Sequence, residues 1–185
     1  LTPLHIACSY GRVDIIKLLI EKNAVVNVKN DYEQTPLHIA CMKGHVDIVK
    51  ILIEKNADLN LKTGKKNTPL HLACKKGYVD IVKILIEKNA DLNLKNSNGR
   101  TPLHLACMEG CLNSVKLLIE RNADLNIKDY WGETPLYLAC ENKRFGIVKL
   151  LIKHKVDLNS TNNLKETPLY LACENKRFDI VKLLI

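Results

Sequence analysis

No run in this chain approaches the roughly 20 consecutive apolar residues that a membrane-crossing helix needs; its apolar stretches are short pieces such as Ile51-Leu52-Ile53. A helical membrane span is therefore excluded. Glycine-rich segments able to cradle phosphate are missing, and so is the Gly-x-Ser-x-Gly of a strained nucleophile turn. Acidic residues are scattered rather than gathered. Cys111 with His104 is the one nucleophile-and-base pairing worth naming, and the intervening helix end gives no reason for contact. No catalytic centre and no cofactor are expected. Trp131 is the only tryptophan, without an aromatic platform or groove motif beside it, so specific reading of a nucleic acid is not expected either. No linker interrupts the chain. The first residue is Leu1 rather than Met, and Ile185 lies inside the apolar run Ile180 to Ile185. Both ends read as cut, so missing targeting signals mean little.

What the chain has in abundance is repetition. Thr-Pro-Leu followed by His or Tyr begins at Thr2, Thr35, Thr68, Thr101, Thr134 and Thr167, always 33 residues apart. A unit this small cannot bury its own apolar face, so neighbours must stack. The period predicts one continuous array over residues 1–185, divided as 1–34, 35–67, 68–100, 101–133, 134–166 and a shortened 167–185. In the unit from Thr35, threonine suits the N-cap and Pro36 the first helical position, and Gly44 ends a short helix in the left-handed conformation. A second helix is predicted from about Val46 to Lys55, its broad apolar face made by Val46, Ile48, Val49, Leu52 and Ile53. Asn56 ends it, as Asn23, Asn89 and Asn122 do elsewhere, and an extended finger with a tight turn leads to the next threonine.

Seven cysteines would suggest disulfides in a short secreted chain. Six of them, from Cys8 to Cys173, instead hold one slot in successive units, where packed helices about 8–10 Å apart keep the sulfurs beyond bridging range. They read as small buried hydrophobes in a reducing, intracellular compartment. Cys111 stands apart as a partly exposed thiol. The His-x-x-Cys spacing offers two zinc ligands per unit, but the next pair lies too far along the stack to complete a tetrahedral site. No metal is expected; each histidine is expected to bond backbone or the Thr hydroxyl.

The net charge is +8. Lys17, Lys50, Lys83 and Lys116 are each followed four residues later by Glu, which offsets much of the local charge. The offset fails late, where Lys143-Arg144 and Lys176-Arg177 stack one unit apart. Those basic late repeats give the alternative of a polyanion or an acidic surface as partner.

Thr-Pro-Leu-His-Leu-Ala with helix, turn, helix and finger at 33 residues resembles the ankyrin repeat, and the likeness covers the whole chain. It implies an all-α solenoid of stacked helix-turn-helix units with β-hairpin fingers, a monomeric array that binds another protein without catalysis or cofactor, in the cytoplasm. A further alternative is the targeting segment of a larger multidomain protein. Departures from the family pattern are Cys for the second Ala, Tyr137 and Tyr170 for His, and Lys143 and Lys176 for the turn glycine. Lysine held left-handed costs about 1 kcal/mol, so the last units are expected to be less regular.

Positions that vary between units are the ones left free for recognition. The resemblance places them on the concave side of the stack, in the finger tips and at the ends of the first helices. The candidates are Tyr10, Asp31, Tyr32, Gln34, Met42, Lys43, Lys65, Asn67, Lys75, Lys76, Asn98, Arg100, Met108, Glu109, Tyr130, Trp131, Glu133, Glu141 and Asn142. Aromatic and Arg anchors dominate interfaces, which singles out Trp131, Tyr130, Tyr32 and Arg100. The structural alternative for Trp131 is packing on its neighbouring finger.

Overall fold

A computed structural model describes all residues, Leu1–Ile185, and contains twelve α-helices and no β-strand. Two compact units divide it, Leu1–Asp91 and Leu92–Ile185. The first unit holds α1 (Pro3–Ser9), α2 (Val13–Glu21), α3 (Pro36–Lys43), α4 (Val46–Glu54), α5 (Pro69–Lys76) and α6 (Val79–Glu87). The second holds α7 (Pro102–Glu109), α8 (Leu112–Glu120), α9 (Pro135–Glu141), α10 (Phe145–Lys153), α11 (Pro168–Glu174) and α12 (Phe178–Leu184). Inside each unit the odd-numbered helices pack in sequence as one layer and the even-numbered ones as another. Helices of seven to nine residues are too short to persist alone, so this layer-on-layer burial is what holds them. Leu37, Ile48, Leu52, Leu70, Ile81 and Leu85 are fully buried in the first unit; Leu103, Leu118, Leu136 and Leu138 do the same in the second.

The local signals act as their chemistry dictates. The Thr35, Thr68, Thr134 and Thr167 hydroxyls accept the backbone N–H three residues on, at 3.1–3.4 Å, with proline in the first turn of each helix. Gly44 ends α3 at φ +82°, while Asn23, Asn56, Asn89 and Asn122 end second helices at φ 59–63°. Lysine holds the same conformation at Lys143 (φ 59°) and Lys176 (φ 52°), and also at Lys155 (φ 55°). Gly44 has a second reason to be glycine: a Cβ there would meet the Tyr78 ring at 2.9 Å. At several repeats the side chain after the turn lies over the preceding turn, as His45 does over Gly11 and Tyr78 over Gly44, and in the second unit arginines reach its carbonyls. Arg144 Nε donates to the Met108 carbonyl at 3.1 Å, and Arg177 to that of Lys143 at 3.2 Å.

The fingers differ from the β-hairpins expected, because they close by turns without a strand ladder. The Asn30 N–H donates to the Gln34 carbonyl (2.9 Å) and the Glu33 N–H back to that of Asn30 (2.8 Å), with Glu33 left-handed at φ 56°. Thr63 with Asn67, Asn96 with Arg100, Asp129 with Glu133 and Asn162 with Glu166 repeat the closure at 2.9–3.0 Å. Successive fingers touch by single backbone bonds: Gly64 to Tyr32 in the first unit, Tyr130 to Asn98 and Asn163 to Trp131 in the second. One bond per finger is too few for a sheet. Below them runs a relay that explains Ala-Asp-Leu-Asn. The Asp58 and Asp91 N–H groups donate to the Asn27 and Asn60 side-chain oxygens (2.9 Å), and those of Asp124 and Asp157 to Asn93 and Asn126 (3.0 and 3.1 Å).

Cys8, Cys41, Cys74, Cys107 and Cys140 are buried as their slot predicts, Cys173 is exposed, and none forms a disulfide. Burial pushes the Cys8 and Cys140 thiols up to about 12, which keeps them protonated and unreactive. The lysine–glutamate pairs anticipated along the second helices stay open; Lys50 stands 3.9 Å from Asp47 instead. Exposed pairs of this type gain too little to fix two long side chains.

Candidate functional site

The histidines belong to the scaffold. His38 Nε2 faces the Asn67 carbonyl at 3.1 Å, so it carries the proton, and Nδ1 accepts from the Thr35 N–H (3.1 Å) and hydroxyl (2.8 Å). His104 repeats this with Thr101 and the Glu133 carbonyl at 3.2 Å, and His5 with Thr2 and Gln34. Both ring nitrogens are occupied in each, which leaves none to ligate a metal. Burial lowers His38 and His104 from 6.5 to about 4, the carbonyl bonds opposing only in part. Tyr137, in the slot of these histidines, spans the same gap by donating to Glu166 (2.8 Å), with Asn162 donating to its oxygen (2.8 Å). Burial and the Glu166 carboxylate raise its phenol above the ordinary range.

In the first unit, Asp31, Tyr32, Gln34, Lys65 and Asn67 come together around a groove of 610 Å³, which Glu33, Thr63, Gly64 and Leu72 complete. Tyr32 is 72% exposed. Gln34 is fixed by Asn30, whose amide donates to its side-chain oxygen at 3.1 Å. Leu72 lies on α5, and Lys75 and Lys76 follow it at i+3 and i+4, on the same helix face. Met42 and Lys43 close α3, which packs against α5. Tyr10 stands outside this groove, in a 480 Å³ hollow with Pro3, Ile6, Arg12 and Ile15.

In the second unit Arg100, Met108, Trp131 and Glu133 meet, but as an internally satisfied cluster. Arg100 Nε donates to Asp129 (2.9 Å), one terminal nitrogen to Glu133 (2.9 Å) and the other to the Met108 sulfur (3.3 Å). Its guanidinium lies 5.1 Å from the Trp131 ring centroid. Arg100 is therefore a strut between fingers, and Trp131, 47% exposed, keeps one face on it. The Asp129 side chain is wholly buried. Desolvation and Asp129 lift the Glu133 carboxyl above its usual range, with Arg100 offsetting part of the rise. Tyr130 lies over Gly99, where a Cβ would sit 2.7 Å from the ring. Asn142 caps α9 through the Leu138 carbonyl at 2.9 Å. Asn98, Glu109 and Glu141 are exposed and do not join the Arg100 cluster.

Reading the sequence missed the residue that organises each finger: Asn30, Thr63, Asn96, Asp129 or Asn162. Four of these accept two backbone N–H groups on a side-chain oxygen, as Asn30 does from Tyr32 and Gln34 at 2.9 Å. The signal was an acceptor side chain in every copy of that slot. The basic late edge also changes character, since Arg144 is used on the Met108 carbonyl and Arg177 is held by Asp179 at 2.6 and 2.9 Å.

No helix is long and apolar enough to cross a membrane. No curated protein matches the chain closely enough to count as a relative. A family model described as ankyrin repeats matches three times, over residues 1–63, 58–129 and 126–185. Such repeats are in general protein-interaction modules rather than catalysts, and the match, together with the helix pairs and their threonine and histidine ties, makes this chain a member of the ankyrin-repeat family.

Proposed function

We propose that the protein is a non-catalytic binding scaffold or adaptor that holds another protein on its finger tips and first-helix ends, without a cofactor and as a monomeric array. The observation that carries this is the division of labour among side chains. The repeated threonine, histidine and leucine slots are buried, with His38 bonded to Thr35 and Leu37 packed beside them, whereas several slots that vary, Asp31, Tyr32 and Lys65 among them, are exposed and in the first unit line an open groove. Interfaces depend on a few aromatic anchors within such a surface, and Tyr32, Tyr130 and Trp131 supply them. Buried thiols without disulfides suit the reducing cytoplasm. The internal engagement of Arg144 and Arg177 disfavours the basic late repeats as a polyanion site.

A photo-crosslinking residue placed at Tyr32 or Trp131 should trap partner protein in cells, whereas the same residue at Lys50 or Lys149, on second helices, should not. Adducts formed only from the second helices would overturn the proposal.

A further inference from the structure

We infer that the groove of the first unit docks an extended, acidic polypeptide segment that inserts an apolar side chain between the fingers. This rests on the scaffold reading and names the chemistry of its partner. The groove has a half-buried apolar residue, Leu72, and an exposed aromatic one, Tyr32, on its lining. Lys65 stands on the lining, and Lys75 and Lys76 continue the helix face that begins at Leu72. All three are exposed, and none lies within ion-pair distance of a carboxylate.

Lysine in the last turn of a helix has an ordinary explanation, since it complements the negative end of the helix dipole. That account does not reach Lys65, which sits on a finger. Nor does it govern the slots of Lys75 and Lys76, because α7, α9 and α11 end in Glu109, Glu141 and Glu174. The lysines at these slots are a property of this unit rather than of the repeat; on the lining itself Lys65 stands with Asp31 and Glu33.

The acidic residues on the same lining decide which anion fits. Glu33 is held by Lys29 at 3.2 Å, and Asp31 is exposed on the wall. A nucleic acid, with a phosphate at every residue, would be repelled by these carboxylates. A polypeptide can place its acids opposite the lysines and its apolar side chain against Leu72 and Tyr32.

The test is selection of random 12-residue peptides displayed on phage against the full chain, followed by affinity measurement of the enriched peptides. Enriched peptides should carry excess Asp and Glu with at least one large apolar residue. Their binding should weaken about tenfold with Lys75→Glu and Lys76→Glu combined, weaken with Lys65→Glu, fall with added salt, and stay unchanged with Lys83→Glu on α6. These sites are exposed, and circular dichroism of each variant checks that the fold is kept. Enriched peptides without acidic excess, or insensitive to the charge reversals, would overturn the inference while leaving the scaffold reading in place. Tighter binding of a twelve-nucleotide oligo-dT than of the best peptide would overturn it in favour of a nucleic acid. Failure to enrich any peptide would end it, and the crosslinking at Tyr32 then judges the scaffold reading separately.

Discussion

The two units build the same finger with different chemistry. In the first, Asn30, Gln34 and Thr63 close the turns with neutral groups, and two of the three first helices, α3 and α5, end in Lys43 and in Lys75 with Lys76. In the second, Arg100, Asp129 and Glu133 form a desolvated ionic cluster across two fingers, and the first helices end in Glu109, Glu141 and Glu174. A helix C-terminus favours positive charge by about 0.3–1 kcal/mol, so the glutamates stand against a small but definite preference. The helix ends are thus free of structural demand. The finger cores are not, because each must satisfy the same backbone N–H groups whether by amide, hydroxyl or carboxylate.

The two units differ most in what Arg100 holds. Arg100→Met strands the buried Asp129 carboxylate and should cost about 3–5 kcal/mol in denaturant unfolding. Adding Asp129→Asn and Glu133→Gln gives the second unit the neutral finger of the first and should restore most of that loss. A triple variant no more stable than the single one would show that the two fingers are not equivalent.

Acid probes the histidine slot. His38 and His104 are lowered in the folded state, so the stability tied to their neutral form is present above pH 6.5 and lost as pH falls from 6.5 through about 4. At 1.36 kcal/mol per pKa unit, each should account for roughly 3 kcal/mol across that window. Protonation turns Nδ1 from an acceptor into a donor facing the Thr N–H and hydroxyl. Tyr137→His should steepen the fall, since the phenol it replaces does not titrate there. An unchanged pH dependence of the unfolding midpoint would contradict the tie described.

A smaller effect is expected in the core of the second unit. Ser114 is fully buried, and its hydroxyl has no hydrogen-bond partner. Ile48, Ile81 and Ile147 hold the same slot in other repeats. Ser114→Val should stabilise by about 1–2 kcal/mol, from removal of an unsatisfied hydroxyl and gain of apolar burial. A lowered melting temperature would mean that the surrounding helices have closed onto the serine.

The smallest change is Lys143→Gly. It relieves a left-handed cost of about 1 kcal/mol and returns about 0.5–1 kcal/mol through the looser unfolded chain. A net gain of some tenths is expected, read as a melting temperature raised by a degree or two.

What could be read in the sequence was whatever depends on a residue's own backbone. Thr35, Pro36, Gly44 and Asn56 each announce a helix start or stop by local sterics and local bonds, and lysine at 143 and 176 holds the left-handed turn its slot demands. The histidine ties were legible because their partners recur with the period. The Arg100 cluster was not, since Arg100, Asp129 and Glu133 occupy slots that elsewhere hold Asn, Thr, Gln or Glu, and only their meeting in space assigns the strut. Tyr32 and Lys65 were named for their variability, but the groove they share needed Leu72, which the repeat pattern presents as ordinary core.

The asparagine relay has a consequence for how such a chain changes over time. The side-chain oxygens of Asn27, Asn60, Asn93 and Asn126 each receive the N–H of the aspartate 31 residues ahead. Every joint is thereby interchangeable with every other. Gain or loss of a whole 33-residue module re-forms identical couplings at the splice, whereas a one-residue insertion would put the wrong amide opposite the acceptor of the joint it falls in. Lengthening by copying is the change this architecture absorbs with least damage.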